Sequence, residues 1–447
     1  MRHGRGRSIR NKGTERTQDL AVKLSEQAKK HKIRLRELLN ETLNFELLAK
    51  TEEGEVRKKL KATMARLIQK HRLGLSRAEQ DQVIQMVLDD MYGYGPLEPI
   101  ISDPAVSDIM INGPKRVFVE RKGKLMLTNV KFEDDEHLLS VVERIVTQVG
   151  RRVDESSPMV DARMKDGSRF NAIIRPLSID GAAVSIRRFG TIPISWESLV
   201  RFGSCPLPMM EVLKSAVRSK LNTIISGGTG SGKTTLLNVL SKFIPDHERI
   251  ITIEDSAELQ LQQEHLIRLE TRAANQEGKG EINQRDLVKN SLRMRPDRII
   301  LGEIRGGEAV DMLTAMNTGC TGSLATVHSN SPQDALARFE TMVSIGMPNM
   351  SDKVIRETIA RALDVIVQQA RFSDGSRRIT AITEITGIEG NVITTQDIFR
   401  FEKTDLGEDG IVKGYFGATG IRPRFASRLA AYGIKLDEEL FDFHLDV

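Results

Sequence analysis

The sequence predicts an α/β protein: a C-terminal domain on a mainly parallel sheet, a smaller α+β domain before it, and an N-terminal helical bundle. Three patterns predict it. Apolar residues at spacings of three and four run through residues 20–91, short alternating segments follow, and from Met209 onward apolar strands alternate with helices.

Taken in order, residues 1–19 are rich in Gly, Arg and Thr without apolar periodicity and predict a basic disordered tail. Over 20–91 the helical pattern is carried by Leu35, Leu38, Leu39, Leu43 and Leu47, by Val56, Leu60, Met64, Leu67 and Ile68, and by Val83, Ile84, Val87, Leu88 and Met91. Gly54 and Gly74 punctuate it. Gly and Pro interrupt Tyr92 to Pro99 throughout, so no helix is expected there.

Residues 92–190 read as a compact α+β domain. Strands are expected at Asp108–Ile111, Arg116–Glu120, Lys124–Thr128, Arg169–Ile174 and Ala182–Arg188, with turns at Asn112-Gly113-Pro114 and Lys122-Gly123 and a helix over Glu136–Val149. Ile192-Pro193 and the Gly203–Pro208 stretch predict a hinge over 191–208. The last domain, 209–447, is expected to end in a helical part, its acidic, Phe-rich Asp437–His444 segment reading as a docking helix or a capping one.

Composition bounds the function. Of 447 residues, 39% are apolar, enough to bury real cores. Only 4% are aromatic, which argues against a stacking surface for single-stranded nucleic acid. Two cysteines, Cys205 and Cys320, are too few for a disulfide framework or a four-thiolate zinc site, and point to a reducing cytosol. No stretch approaches the ~20 apolar residues of a membrane span, and the Arg-rich start lacks the apolar core of a signal peptide, so any membrane role is expected to be peripheral. The net charge of +5 is uneven: residues 1–80 hold 21 Lys/Arg against 10 Asp/Glu, leaving 45 against 51 for the remainder. Such an arm can attract lipid headgroups, nucleic acid or an acidic protein, or simply be solvated.

The chemistry is concentrated in one loop. The strand Asn222–Ser226 runs into Gly227-Gly228-Thr229-Gly230-Ser231-Gly232-Lys233-Thr234-Thr235 and then an apolar helix, which satisfies the Gly-x-x-x-x-Gly-Lys-Thr pattern in its strand–loop–helix context. Glycines let successive backbone N–H groups turn toward phosphate oxygens, and the helix N-terminus adds partial positive charge. Lys233 is expected on the β- and γ-phosphates, and Thr234 on Mg²⁺.

Ligands of open α/β sheets sit beyond the carboxyl ends of the strands. Glu254 and Glu258 follow the strand Ile250–Ile253, Glu303 follows Arg298–Gly302, and His328 follows Leu324–Val327. Glu303 is therefore expected near the metal with Thr234, and Glu254 or Glu258 as the group that positions or deprotonates water. His328 is a candidate reporter of the γ-phosphate.

These segments, with Thr252–Glu258, Arg295–Arg305 and Gly322–Ser329, resemble the Walker A, Asp, Walker B and His boxes of the type II and type IV secretion ATPases. The resemblance runs from about Glu79 to Ile385. Gly93–Ile100, Ser107–Gly113 and Arg305–Leu313 are similar to the CpaF branch, which powers assembly of Flp (Tad, type IVc) pili. Cys320 stands where that branch is expected to carry His, and the four-cysteine zinc element of many type II relatives is absent.

The resemblance implies a RecA-like P-loop NTPase C-terminal domain behind the smaller α+β domain, binding ATP and Mg²⁺. It also implies a homohexameric motor acting on an inner-membrane platform protein at the cytoplasmic face, with nucleic acid not expected. Family arginines from the N-terminal domain reach the γ-phosphate, and Arg169, Arg175, Arg187 and Arg188 are the candidates by position; Arg305 matches the arginine after the Walker B glutamate. Two further readings stand: a traffic ATPase moving DNA or protein through a type IV secretion channel, and a non-enzymatic, nucleotide-gated scaffold.

Overall fold

The computed structural model describes residues 26–42, 53–121, 124–188, 194–272, 274, 279–407 and 410–447. The chain divides into two compact units, Met1–Thr191 and Ile192–Val447. The tail at 1–19, Leu43, Leu47, the Lys122-Gly123 turn and Ile192-Pro193 lie outside the described residues.

In the first unit, helices Glu26–Thr42, Glu53–Lys70 and Arg77–Tyr92 bury one apolar stripe each. Leu35 and Leu39 meet Leu60, Met64, Val83 and Val87 in one cluster, as the three-and-four spacing requires. The third helix starts on a capping box, Ser76 and Glu79 each accepting from the other's backbone N–H. Proline does not keep the following stretch from being helical. Gly95–Leu97 forms a 3₁₀ turn and Glu98–Ile101 a short helix, with Pro96 and Pro99 in first turns where the missing N–H costs nothing.

Six antiparallel strands follow: β1 (Val106–Asn112), β2 (Val117–Arg121), β3 (Lys124–Leu127), β4 (Met159–Arg163), β5 (Arg169–Ile173) and β6 (Ala183–Arg187). Their order is β3-β2-β1-β6-β5-β4. One face, with Ile109, Ile111, Val119, Phe170, Val184 and Ile186, packs with Leu138, Val141, Val142 and Ile145 of the helix Asp135–Thr147. The opposite face is mixed, with Asp108, Glu120, Asn171 and Ser185 beside the partly exposed Met110, Phe118 and Ile173.

The second unit is built on ten strands. Those that hold the site are β7 (Thr223–Gly227), β8 (Ile250–Glu254), β9 (Leu266–Glu270), β10 (Arg298–Ile304), β11 (Leu324–Val327) and β12 (Val365–Arg371). They pair parallel in the order β12-β7-β11-β10-β8-β9. Helices cover both faces, Leu207–Arg218 and Lys233–Ser241 in one core and Glu308–Asn317, Pro332–Gly346 and Asp352–Ala362 in the other. This doubly covered parallel sheet is the α/β architecture that the alternation of strands and helices predicts, and it agrees with the RecA-like P-loop NTPase domain that the family resemblance implies. At the amino end of β10, Arg298 is wholly buried; it donates to Glu248 at 2.5 and 3.1 Å and to the carbonyls of Val217 and Gly322.

Two expectations differ from the structure. Of the expected hinge, residues 194–208 are packed protein: Ser195 caps the helix Trp196–Arg201, and Leu199 and Cys205 sit in the core of the second unit. The C-terminal part is mainly strand, with one short helix, Ala426–Ala430, among its described residues. It extends the sheet through β13 (Arg377–Glu389), β14 (Val392–Leu406), β15 (Val412–Ala418) and β16 (His444–Asp446), paired antiparallel. Its β-branched and aromatic residues favour strands, and Phe399, Phe401, Phe416 and Phe425 bury against the core. The Asp437–His444 segment holds only one 3₁₀ turn, Glu438–Phe441, whose Phe441 is buried.

Candidate functional site

Every residue of β7 is buried, and the strand ends where the glycine run begins. Gly230 (φ +70°) and Gly232 (φ +100°) adopt left-handed backbone, which an L side chain resists. A Cβ on Gly227 would strike the Gln369 carbonyl, and one on Gly232 would lie 3.2 Å from Gln369 Nε2. The loop is thus cradled by β12 as well as bent by its own glycines. The helix Lys233–Ser241 begins at once after Gly232, so its unsatisfied N–H groups open at the loop.

Lys233 folds back over this loop. Its Nζ donates to the carbonyls of Gly227 (2.9 Å) and Gly228 (3.1 Å). Burial lowers its pKa, opposed by the nearby Glu303 carboxylate. An arriving polyphosphate offers stronger acceptors to the same ammonium.

β10 extends through Glu303 to Ile304, beyond the end expected from sequence. Against β11 its register slips, Leu301 pairing with Ala325 but Ile304 with Val327, so Gly302 and Glu303 together face Thr326. Such a bulge re-aims a side chain. Here it presents Glu303, whose Oε2 accepts from Arg305 Nη2 (2.6 Å) and Nε (3.0 Å); Arg305 also reaches Asp255 at 3.2 Å.

The two water-activating candidates differ. Glu254 is 3% exposed; its Oε2 accepts from the backbone N–H of Glu258 (2.7 Å) and Leu259 (2.9 Å), while its buried Oε1 has no hydrogen-bond partner. Burial pushes its pKa up to about 7. Glu258 is half-buried, and its backbone serves to hold Glu254. His328 is half-buried beyond β11.

Thr234 and Glu303 offer a hydroxyl and a carboxylate, the oxygen donors Mg²⁺ favours. Among the described residues no cluster of three His, Cys, Asp or Glu could hold a metal. A hydroxyl next to Lys233 in the chain and a carboxylate whose field reaches the Lys233 ammonium are donors of the kind that hold a metal also bound by phosphate oxygens and water.

The N-terminal arginines separate in place. Arg169 and Arg187 are direct cross-strand neighbours on the face of the six-stranded sheet away from the helix Asp135–Thr147, Arg163 pairs with Arg169, and Arg187 faces Asp108 with Nε 3.4 Å from Oδ1. Arg175 lies beyond β5, 3.4 Å from Asp135. Arg188 turns to its own domain and donates to the Asp103 carbonyl.

Sequence reasoning missed several residues around the loop. Arg377 Nε donates to the Gly230 carbonyl (2.8 Å), and Ser226 and Ser329 join hydroxyls beneath the loop at 2.5 Å. The only sequence signal is that Arg377 and Gln369 flank the turn after a strongly apolar run, Val365–Val367.

A parallel sheet with a glycine loop feeding a helix at one strand end, and carboxylates at the neighbouring ends, defines a P-loop nucleotide-binding protein. The chain belongs to the Type II/IV secretion system protein family, which residues 90–385 match. It is 33% identical over 315 residues to a putative conjugal transfer protein of Mycobacterium tuberculosis, spanning 69% of this chain and 89% of that one. It is 32% identical over 308 residues to the conjugal transfer protein TrbB of Rhizobium radiobacter, spanning 68% and 91%. Among solved structures it is similar to the VirB11 ATPase of the Brucella suis type IV secretion system, with 28% identity, 64% and 94% coverage, and a TM-score of 0.36. No helix among the described residues is long and apolar enough to cross a membrane.

Proposed function

We propose that this protein is a Mg²⁺-dependent ATPase that hydrolyses ATP to ADP and phosphate. The observation that carries the reading is the pairing of an intact phosphate loop with Glu254, a buried carboxylate whose pKa is pushed up to about 7 and whose Oε1 has no partner. A general base poised near neutrality can take a proton from water and release it again. Lys233 and the loop N–H groups hold the phosphates, and Glu303 with Thr234 holds the metal. Mg²⁺, when bound, spreads the charge of the triphosphate. His328 serves as the reporter of the terminal phosphate, and Arg169, Arg175, Arg187 and Arg188 are the candidate cations of the N-terminal domain.

The machine driven is a type IV pilus of the Flp (Tad) kind, with a homohexamer working on an inner-membrane platform protein at the cytoplasmic face. The Gly93–Ile100 and Ser107–Gly113 resemblance supports this. A second reading, transfer of DNA or protein through a type IV secretion channel, is favoured by the conjugal transfer names of the curated relatives.

Phosphate release from ATP tests the enzyme: the wild type turns over and the folded Lys233→Ala variant does not. Equal release from both refutes the site. DNA that accelerates turnover, with an effect that fades steeply as salt rises, selects the transfer reading.

A further inference from the structure

Three elements of the nucleotide site meet at one segment. Thr326, 1% exposed, donates its hydroxyl to the Gly302 carbonyl at 2.6 Å, at the centre of the bulge that aims Glu303. The same glycine packs against Glu254: a Cβ on Gly302 would lie 3.0 Å from Glu254 Cγ. Thus one threonine hydroxyl fixes the peptide that precedes Glu303 and supports Glu254.

Three residues on, Ser329 ties the same segment to the phosphate loop. Its Oγ lies 2.5 Å from Ser226 Oγ, in the penultimate residue of β7. Ser329 Oγ also donates to the Ser331 carbonyl at 3.1 Å. A hydroxyl has one proton, so Ser226 is the donor to Ser329. Gln368 of β12 donates from Nε2 to the Ser329 carbonyl at 3.3 Å. Ser226, Ser329 and Gln368 are all at least nine-tenths buried. Water does not compete there, and each bond is costly to leave unmade.

We propose that Thr326 and Ser329 form a crossbar that locks the Glu303 bulge to the strand bearing the phosphate loop, and that both are positioning residues for hydrolysis. The inference rests on the ATPase reading. Neither residue is placed on phosphate. Thr326 acts through Gly302 on Glu303 and Glu254, and Ser329 acts through Ser226 on the loop and through the chain on its neighbour His328. Loop and carboxylates then move as one body when nucleotide enters, which keeps attacking water and phosphate in register.

Steady-state kinetics and hydrogen exchange test this on the full chain. Thr326→Val and Ser329→Ala are each expected to lower kcat by about fivefold to tenfold, the worth of one buried hydrogen bond, with KM for ATP within about twofold. Thr326→Ser keeps the hydroxyl and restores kcat. Ser226→Ala combined with Ser329→Ala costs no more than Ser329→Ala alone, because Ser329→Ala already removes the bond that Ser226 makes. Binding of a nonhydrolysable ATP analogue slows amide exchange at residues 302–304 in the wild type and not in Thr326→Val. Wild-type kcat in both single variants overturns the crossbar, and so does a Thr326→Ser variant as slow as Thr326→Val. A wild type that binds no nucleotide overturns the ATPase reading first, and the crossbar falls with it.

Discussion

Arg305 grips one carboxylate oxygen of Glu303 with two nitrogens, Nη2 at 2.6 Å and Nε at 3.0 Å. The pair is partly exposed, so water and salt weaken it, and a divalent cation competes for the same oxygen. Glu303→Gln keeps the shape and removes the charge. It is expected to retain nucleotide binding while phosphate release falls by about two orders of magnitude. Unchanged release, read in a coupled phosphate assay, contradicts the role given to Glu303.

Glu254 predicts a pH dependence. Its folded pKa is raised from 4.5 to about 7, so the native state holds this proton more tightly than the unfolded chain. Stability contributed by the protonated acid is therefore complete below about pH 4.5 and is lost as pH rises through about 7. Glu254→Gln removes that slope. Urea unfolding is expected to show the variant gaining on the wild type by about 2–3 kcal/mol between pH 4.5 and 8. A constant difference across that range refutes the assignment.

The buried Arg298–Glu248 pair predicts the largest loss of stability. Arg298→Met strands Glu248 in the core, with only Lys220 at 3.8 Å, and is expected to cost about 3–5 kcal/mol. Replacing Glu248 by Met as well recovers most of the loss. Denaturant midpoints of the single and double variants decide it.

Gly232 tests the shape of the loop. Alanine there must adopt φ +100° with its Cβ 3.2 Å from Gln369 Nε2. The expected result is a folded protein, less stable by about 1–2 kcal/mol, whose affinity for ATP drops at least tenfold. Wild-type affinity in calorimetry contradicts the cradle.

Much of this site is legible in the sequence because its signals are local. The phosphate loop needs glycines at fixed spacing, and Glu254 and His328 each mark the end of a short apolar strand. What is hidden depends on distant pairing. The bulge that aims Glu303 exists only because β11 lies beside β10, and the run Ile299–Leu301 carries no sign of it. Arg377 lies 147 residues from Gly230 in the chain and reaches it through the β12–β13 turn. The raised pKa of Glu254 is likewise a product of burial, invisible in a list of carboxylates. A helical C-terminal part was expected, yet β13 to β16 pair antiparallel there, and Phe399, Phe401 and Phe416 of the strands, with Phe441 of a 3₁₀ turn, are buried in the core.

The central claim is that the 227–235 loop binds a nucleoside triphosphate through Lys233. Equilibrium titration of a fluorescent nonhydrolysable ATP analogue, with Mg²⁺ present, tests it most directly. Saturable binding is predicted for the wild type, and affinity at least a hundredfold weaker for Lys233→Ala at an unchanged melting temperature. Equal affinity in the two proteins, or no saturable binding in the wild type, would contradict it.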